Sequence, residues 1–167
     1  MANVPNFHIP RWSEIPKLDL YLDQTVTFVE KNLKSYICNK DETIITKTMI
    51  NNYVKQGLIK PPKKKKYTRT HIATLFVICI LKQVYSINDI YELILLAVKT
   101  ARFNYAYDQF CDALERAIQY VFEGVEYPTI KNMPFEQYLL KSVAQSFASK
   151  LYVEKTFLHK KDIILKS

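Results

Sequence analysis

Glycine is almost missing from this chain: Gly57 and Gly124 are the only two among 167 residues. Tight β-turns lean on glycine, so an all-β architecture is a poor fit and a mainly α fold is expected. Cysteine is scarce and odd in number. Cys38, Cys79 and Cys111 lie far apart, which supports neither a disulfide framework nor a C-x-x-C metal knuckle. A reducing, cytoplasmic setting is the expectation. Long apolar runs are also missing. The stretch from Ile72 to Leu81 is too short to span a bilayer, and Met1 to Pro10 lacks the charged start and apolar stretch of a signal peptide, so no membrane partner is expected.

The motifs of common chemistry are absent too. There is no P-loop, no G-x-S-x-G elbow and no dinucleotide fingerprint. His8, His71 and His159 are too scattered to gather a metal, and His71 reads as a capping or packed histidine. Asp108, Asp112 and Glu115 recur at helical spacing and could bind metal or do acid–base work. With no histidine among them and Arg116 adjacent, a solvated face is the better reading. No enzyme, no metal and no cofactor are expected.

Acidic residues disappear altogether between Glu42 and Asp89. That stretch holds nine basic residues: Lys47, Lys55, Lys60, Lys63, Lys64, Lys65, Lys66, Arg69 and Lys82. The chain carries 24 basic and 16 acidic residues, so 15 basic residues face 16 acids elsewhere and the whole formal excess of +8 belongs to this segment. A potential so concentrated attracts polyanions over about 8 Å at physiological salt. Alone, Lys63–Lys66 would read as a solvated turn, or as a nuclear-localisation run. Its flanks make it more specific.

Those flanks read as follows. Residues 1–17, with Pro5, Pro10 and Pro16, form an irregular arm pinned by Ile9, Trp12 and Ile15. Residues 18–99 form a basic module and residues 100–167 a C-terminal helical bundle. Within the module a first helix is expected from Asp19, as N-cap, to about Tyr36, with Leu22, Val26, Val29 and Leu33 on one face. Asn39–Glu42 reads as a loop. Thr46 then caps a short helix over Lys47–Gln56, with Ile45 stapled onto Ile50 and Gly57 as its left-handed stop. Met49, Ile50, Tyr53 and Val54 point inward, while Lys47, Thr48, Asn51, Asn52 and Lys55 share the opposite face. Leu58-Ile59 and Lys66-Tyr67 can pair as short strands around a Pro-Pro and lysine tip, which is the shape of a wing. A buried helix from Thr70 to about Val84 contains an inert Cys79. A helix capped by Ser86 and Asp89 follows, running to about Lys99 with Ile87, Ile90, Leu93, Ile94, Ala97 and Val98 inside. Two longer helices, about Phe103–Glu123 and Pro134–His159, complete the chain. The second carries a stripe of Phe135, Leu139, Val143, Phe147, Leu151, Phe157 and Leu158.

Ile50-Asn51-Asn52-Tyr53-Val54-Lys55-Gln56-Gly57-Leu58-Ile59, then Pro61-Pro62, then Lys65-Lys66-Tyr67-Thr68, resembles the DNA-binding domain of MerR-type regulators. There a helix ending in Tyr-x-x-x-Gly-Leu leads through prolines and basic residues to Tyr-Ser and the next helix. Leu81–Ile90 is similar to the segment that follows in that family. The sequence departs from the pattern at Asn51, where an arginine is usual, at Lys64, where the first wing tyrosine is usual, and in the long connection Ser35–Thr43. Ile9–Pro16 and Thr46–Lys55 resemble more closely a bacterial domain-of-unknown-function family, numbered eighteen-thirty-six, over most of the chain. That resemblance supplies no activity. The MerR likeness implies a winged helix-turn-helix that places a helix in the major groove and dimerises over two half-sites.

The candidate DNA-binding set is therefore Lys47, Thr48, Asn51, Asn52, Tyr53 and Lys55 on the helix, with Lys63, Lys64, Lys65, Lys66, Tyr67 and Arg69 in and after the wing. Amides and cations on a face without acids suit base edges and phosphates. An ordinary solvated helix face is the competing reading, and Tyr53 serves equally well as a core residue. Duplex DNA as partner, a homodimer and a regulator of transcription are the expectation, with no effector identified. A helical protein–protein interaction module is the alternative. An RNA binder suits the charge but lacks the usual paired aromatics.

Overall fold

The computed structural model describes residues 4–34, 36–37, 42–128 and 130–158. Among them the fold is mainly helical: α1 Leu22–Leu33, α2 Lys47–Lys55, α3 Arg69–Leu81, α4 Ile87–Thr100, α5 Phe103–Glu123 and α6 Phe135–Val153. Among the described residues there is a two-stranded sheet, β1 Leu20–Tyr21 and β2 Lys66–Tyr67. The chain divides into two compact units, one formed by Ile9–Asp108 and the other by the remaining residues. Cys38, His159 and the expected loop at 39–41 lie outside the described residues.

The core of the first unit is α3. Ten of its 13 residues are buried, as expected for a helix apolar all round. Cys79 is fully buried, and desolvation pushes its thiol up to about 12. The arm packs as its apolar residues predict. Ile9 and Ile15 are buried, and Trp12 opens a 3-10 turn over Trp12–Glu14 and meets the ring of Phe103 at 5.7 Å. The Trp12 amide donates to Asp108 Oδ1 at 2.7 Å, and the Tyr107 hydroxyl donates to the Pro10 carbonyl at 2.7 Å. Asp108 is thus an anchor for the arm, not part of a solvated face.

The first helix starts later than Asp19. Leu20-Tyr21 is drawn into a strand, pairing antiparallel as Leu20↔Tyr67 and Tyr21↔Lys66. Only then does α1 begin, with the Tyr21 amide donating to Gln24 Oε1 at 2.9 Å. The wing pairing is corrected by the same observation: Lys66-Tyr67 takes β1, not Leu58-Ile59, as its partner.

α2 follows its signals closely. The Thr46 hydroxyl accepts from the Met49 amide at 3.1 Å. At the other end Gly57 adopts φ +76°, its amide donates to Val54 and the Leu58 amide to Tyr53, the paired bonds of a left-handed helix stop. Ile45, Ile50 and Tyr53 are buried, while Met49 and Val54 are half-buried. α4 is capped as expected, with the Ser86 hydroxyl accepting from the Asp89 amide at 3.2 Å. Its inward set is smaller than its sequence implies: Ile90 alone is buried, Ile87, Leu93, Ile94 and Ala97 are half-buried, and Val98 is exposed.

In the second unit, Cys111, Leu114, Ala117, Ile118 and Phe122 of α5 and Val143, Ala144, Phe147 and Leu151 of α6 are buried. Phe7 meets Phe147 at 6.1 Å and Phe122 meets Tyr152 at 5.2 Å. Pro134 precedes α6, which passes into a π-helical turn over Glu154–Leu158. The expected apolar stripe on α6 is buried only in its middle. Phe135, Phe157 and Leu158 are exposed, because each lies at an end of the helical stretch.

Candidate nucleic-acid interface

On α2 the residues divide by helical phase. With Ile50 and Tyr53 turned into the core, Lys47, Thr48, Asn51, Asn52 and Lys55 are left exposed together. The helix has no acid in its first turn and a lysine in its last. Tyr53 is 7% exposed and Tyr67 only 3%, which puts both among the core residues rather than on this face. Burial pushes both phenols above their ordinary range.

The four lysines form a two-residue hairpin. The Lys66 amide donates to the Lys63 carbonyl at 2.9 Å, and the Lys63 amide donates back at 3.2 Å. Lys64 and Lys65 occupy the turn with φ of +48° and +62°. Both turn residues are therefore left-handed, as tight hairpins that match strand twist require, although Asn-Gly is the usual choice there. A lysine in this region carries a steric cost of roughly 1–2 kcal/mol. The pairing of Lys66-Tyr67 with β1 and the packing of Tyr67 hold the turn closed. Lys63, Lys64 and Lys65 are exposed and Lys66 is half-buried.

The base of the hairpin is tied down by His71. Its Nδ1 accepts from the Thr68 amide at 2.9 Å, and its Nε2 lies 2.9 Å from the Lys60 carbonyl. An acceptor at Nδ1 and a carbonyl at Nε2 fix the neutral tautomer with the proton on Nε2. Desolvation lowers the His71 pKa, against the opposing pull of the Lys60 and Pro61 carbonyls. The Tyr67 ring covers the imidazole edge-on at 5.4 Å.

The helix face and the hairpin converge on one short segment. Lys47 forms an ion pair with Asp23, and Lys66 Nζ stands 5.0 Å over the Tyr21 ring. Residues 21–23 therefore touch the start of α2 and the end of the hairpin at once. The side chains of Lys47 and Asp23 are 59% and 73% exposed, so that pair contributes little and opens at little cost. Lys82 is half-buried and donates to the Ile44 carbonyl, which removes it from the exposed cations. Arg69 is half-buried too. It stacks 5.3 Å from the Trp12 ring, and its Nε and Nη2 are buried without a hydrogen-bond partner.

Sequence reasoning missed Tyr21, Asp23, Trp12 and Lys17 around these cations. For Tyr21 and Asp23 no local signal exists, since their role comes from β1 pairing with β2 across 45 residues of chain. The solitary tryptophan beside a proline-rich arm was a signal of a kind, but it reads equally as a core residue.

The family described as Domain of unknown function (DUF1836) matches residues 10–110. The chain belongs to this family. The DUF1836 match takes in the arm from Pro10, the whole of α1–α4, both strands and the first turns of α5, so it covers nearly all of the unit Ile9–Asp108. Nothing matches among curated proteins or among solved structures.

Proposed function

We propose that the unit Ile9–Asp108 binds duplex DNA, with α2 presented to the major groove and the lysine hairpin lying along the backbone. The observation that carries this reading is the exposed row Lys47, Thr48, Asn51, Asn52 and Lys55, with no acid on the helix, together with a hairpin that exposes Lys63, Lys64 and Lys65 around a left-handed turn. Asparagine amides suit adenine edges in the major groove, and lysines suit phosphates. The order α1, α2, hairpin, α3 resembles that of a MerR-like winged helix-turn-helix, a likeness that supports the same docking. One such module covers a half-site, so a homodimer and a role in transcription follow from the reading. The deep, narrow major groove of A-form RNA does not admit a helix in this way.

Fluorescence anisotropy of a labelled duplex at several salt concentrations tests it. Log K should fall with log salt at a slope of about −4 to −7. Replacing Lys63–Lys66 by alanine should flatten that slope by about three, one unit for each exposed lysine lost. Absence of binding at low salt overturns the reading. It would leave a helical protein–protein interaction module, which the exposed Phe135, Tyr138, Phe157 and Leu158 of the other unit favour.

A further inference from the structure

A recess of about 260 Å³ lies between the arm and the first turn of α3, lined by Trp12, Lys17, Asp19, Thr68, Arg69 and Thr70. Three independent features meet there. The first is the Arg69 guanidinium, which lines the recess; its Nε and Nη2 have no acceptor and are closed off from solvent, so a ligand engages them only as the side chain turns into the recess. These two nitrogens form the edge that receives two oxygens of one oxyanion side by side. Leaving a buried charged group unpaired is costly, and the Trp12 face over Arg69 offers its N–H groups no acceptor.

The second feature is Lys17, an exposed ammonium without an ion pair on the same wall. Asp19 shares the rim but pairs with neither cation, so two positive side chains face one negative one. The third is the start of α3, a helix of 13 residues with no acid in its first turn. The Thr68 amide is already committed to His71, which leaves Arg69 and Thr70, both in the lining of the recess, as the first residues of the helix, where amides lack intrahelical acceptors.

We propose that this recess is a phosphate site, in which Arg69 and Lys17 hold one phosphate group against the first turn of α3. Phosphate chemistry has two sources here, a nucleic-acid backbone or a free phosphate, and the first rests on the interface proposed above. On the backbone reading the site extends that interface by one anchored contact beyond the hairpin.

Trp12 is the only tryptophan in the chain and lies in the wall of the recess, so its emission reports on this site without interference from another indole. The full chain is titrated with inorganic phosphate against chloride at constant ionic strength, and separately with an unlabelled duplex of about 20 base pairs. Phosphate should change Trp12 emission saturably. Arg69→Gln should weaken that binding about tenfold or more, and Lys17→Ala less. Asp19→Asn should tighten it, a direction that general destabilisation cannot produce. If the duplex supplies the phosphate, it should change Trp12 emission as well, and Arg69→Gln should lower the duplex salt slope by about one. If free phosphate is the ligand, duplex affinity should be the same in Arg69→Gln and the parent.

Emission that responds to neither phosphate nor duplex, with Asp19→Asn and Lys17→Ala matching the parent, overturns the phosphate site. Duplex binding with Trp12 silent to both duplex and inorganic phosphate does so while leaving the helix-and-hairpin interface standing. A saturable phosphate response without duplex binding does the reverse.

Discussion

The Nε2 of His71 lies 2.9 Å from the carbonyl oxygen of Lys60, so a core imidazole of α3 holds the chain as it enters the lysine hairpin. The same ring accepts the Thr68 amide where the chain leaves the hairpin. Both bonds together need the neutral ring.

Acid should therefore loosen this region. The folded-state pKa of His71 lies below its ordinary 6.5, so the unfolded chain binds the proton first as pH falls. The stability contributed by neutral His71 is complete above about 6.5 and is lost as pH drops through the lower folded value. Urea unfolding at pH 7.5 and pH 5 measures the loss. Compared with the parent, His71→Gln should be less stable at pH 7.5 and should lose less on acidification. An equal loss in both proteins would show that His71 is not the group responsible.

The hairpin should separate stability from binding. Replacing Lys64-Lys65 by Asn-Gly suits two left-handed turn residues better and should raise stability by about 1 kcal/mol, read from thermal or urea unfolding. The same change removes two exposed cations and should reduce the duplex salt slope by about two. A variant that loses stability would mean that the turn is not of this left-handed form.

Tyr53 should behave as a packing residue. Its burial implies that Tyr53→Phe leaves duplex affinity within about twofold of the parent, while Tyr53→Ala costs roughly 3–5 kcal/mol of stability. An anisotropy titration in which Tyr53→Phe binds about tenfold more weakly would instead assign the hydroxyl to a phosphate.

Cys79 should resist alkylation. Its thiol is buried and its pKa is raised to about 12, so almost no thiolate forms near neutrality. Mass spectrometry after iodoacetamide at pH 8 should find Cys79 unmodified in the folded protein and modified in urea. Rapid native labelling would mean that α3 opens far more readily than its packing implies.

Much of this architecture was legible where the information is local. Thr46 and Gly57 bracket α2 because a cap and a left-handed stop act within one turn. The division of α2 into a buried Ile50–Tyr53 side and an exposed amide and lysine side follows from helical phase alone. The buried character of α3 follows from its unbroken apolar content. What was not legible depends on partners distant in sequence. Leu20-Tyr21 looked like the start of a helix because nothing nearby announces that Lys66-Tyr67 will pair with it. Asp108 looked like one of several surface acids, and only the arm folding back to it reveals an anchor. Arg69 was legible as a cation, but its stacking on Trp12 and its unpaired edge belong to the tertiary structure.

Four consecutive lysines at an exposed tip are a ready target for trypsin-like proteases, which thread their substrates as extended strands. Lys63 and Lys66 grip each other through two backbone bonds, and Lys64-Lys65 bend the wrong way for such a cleft. The most cleavable stretch of this chain is thus guarded by its own curvature. Its rate of nicking measures how often the hairpin comes apart, not how much of it faces water.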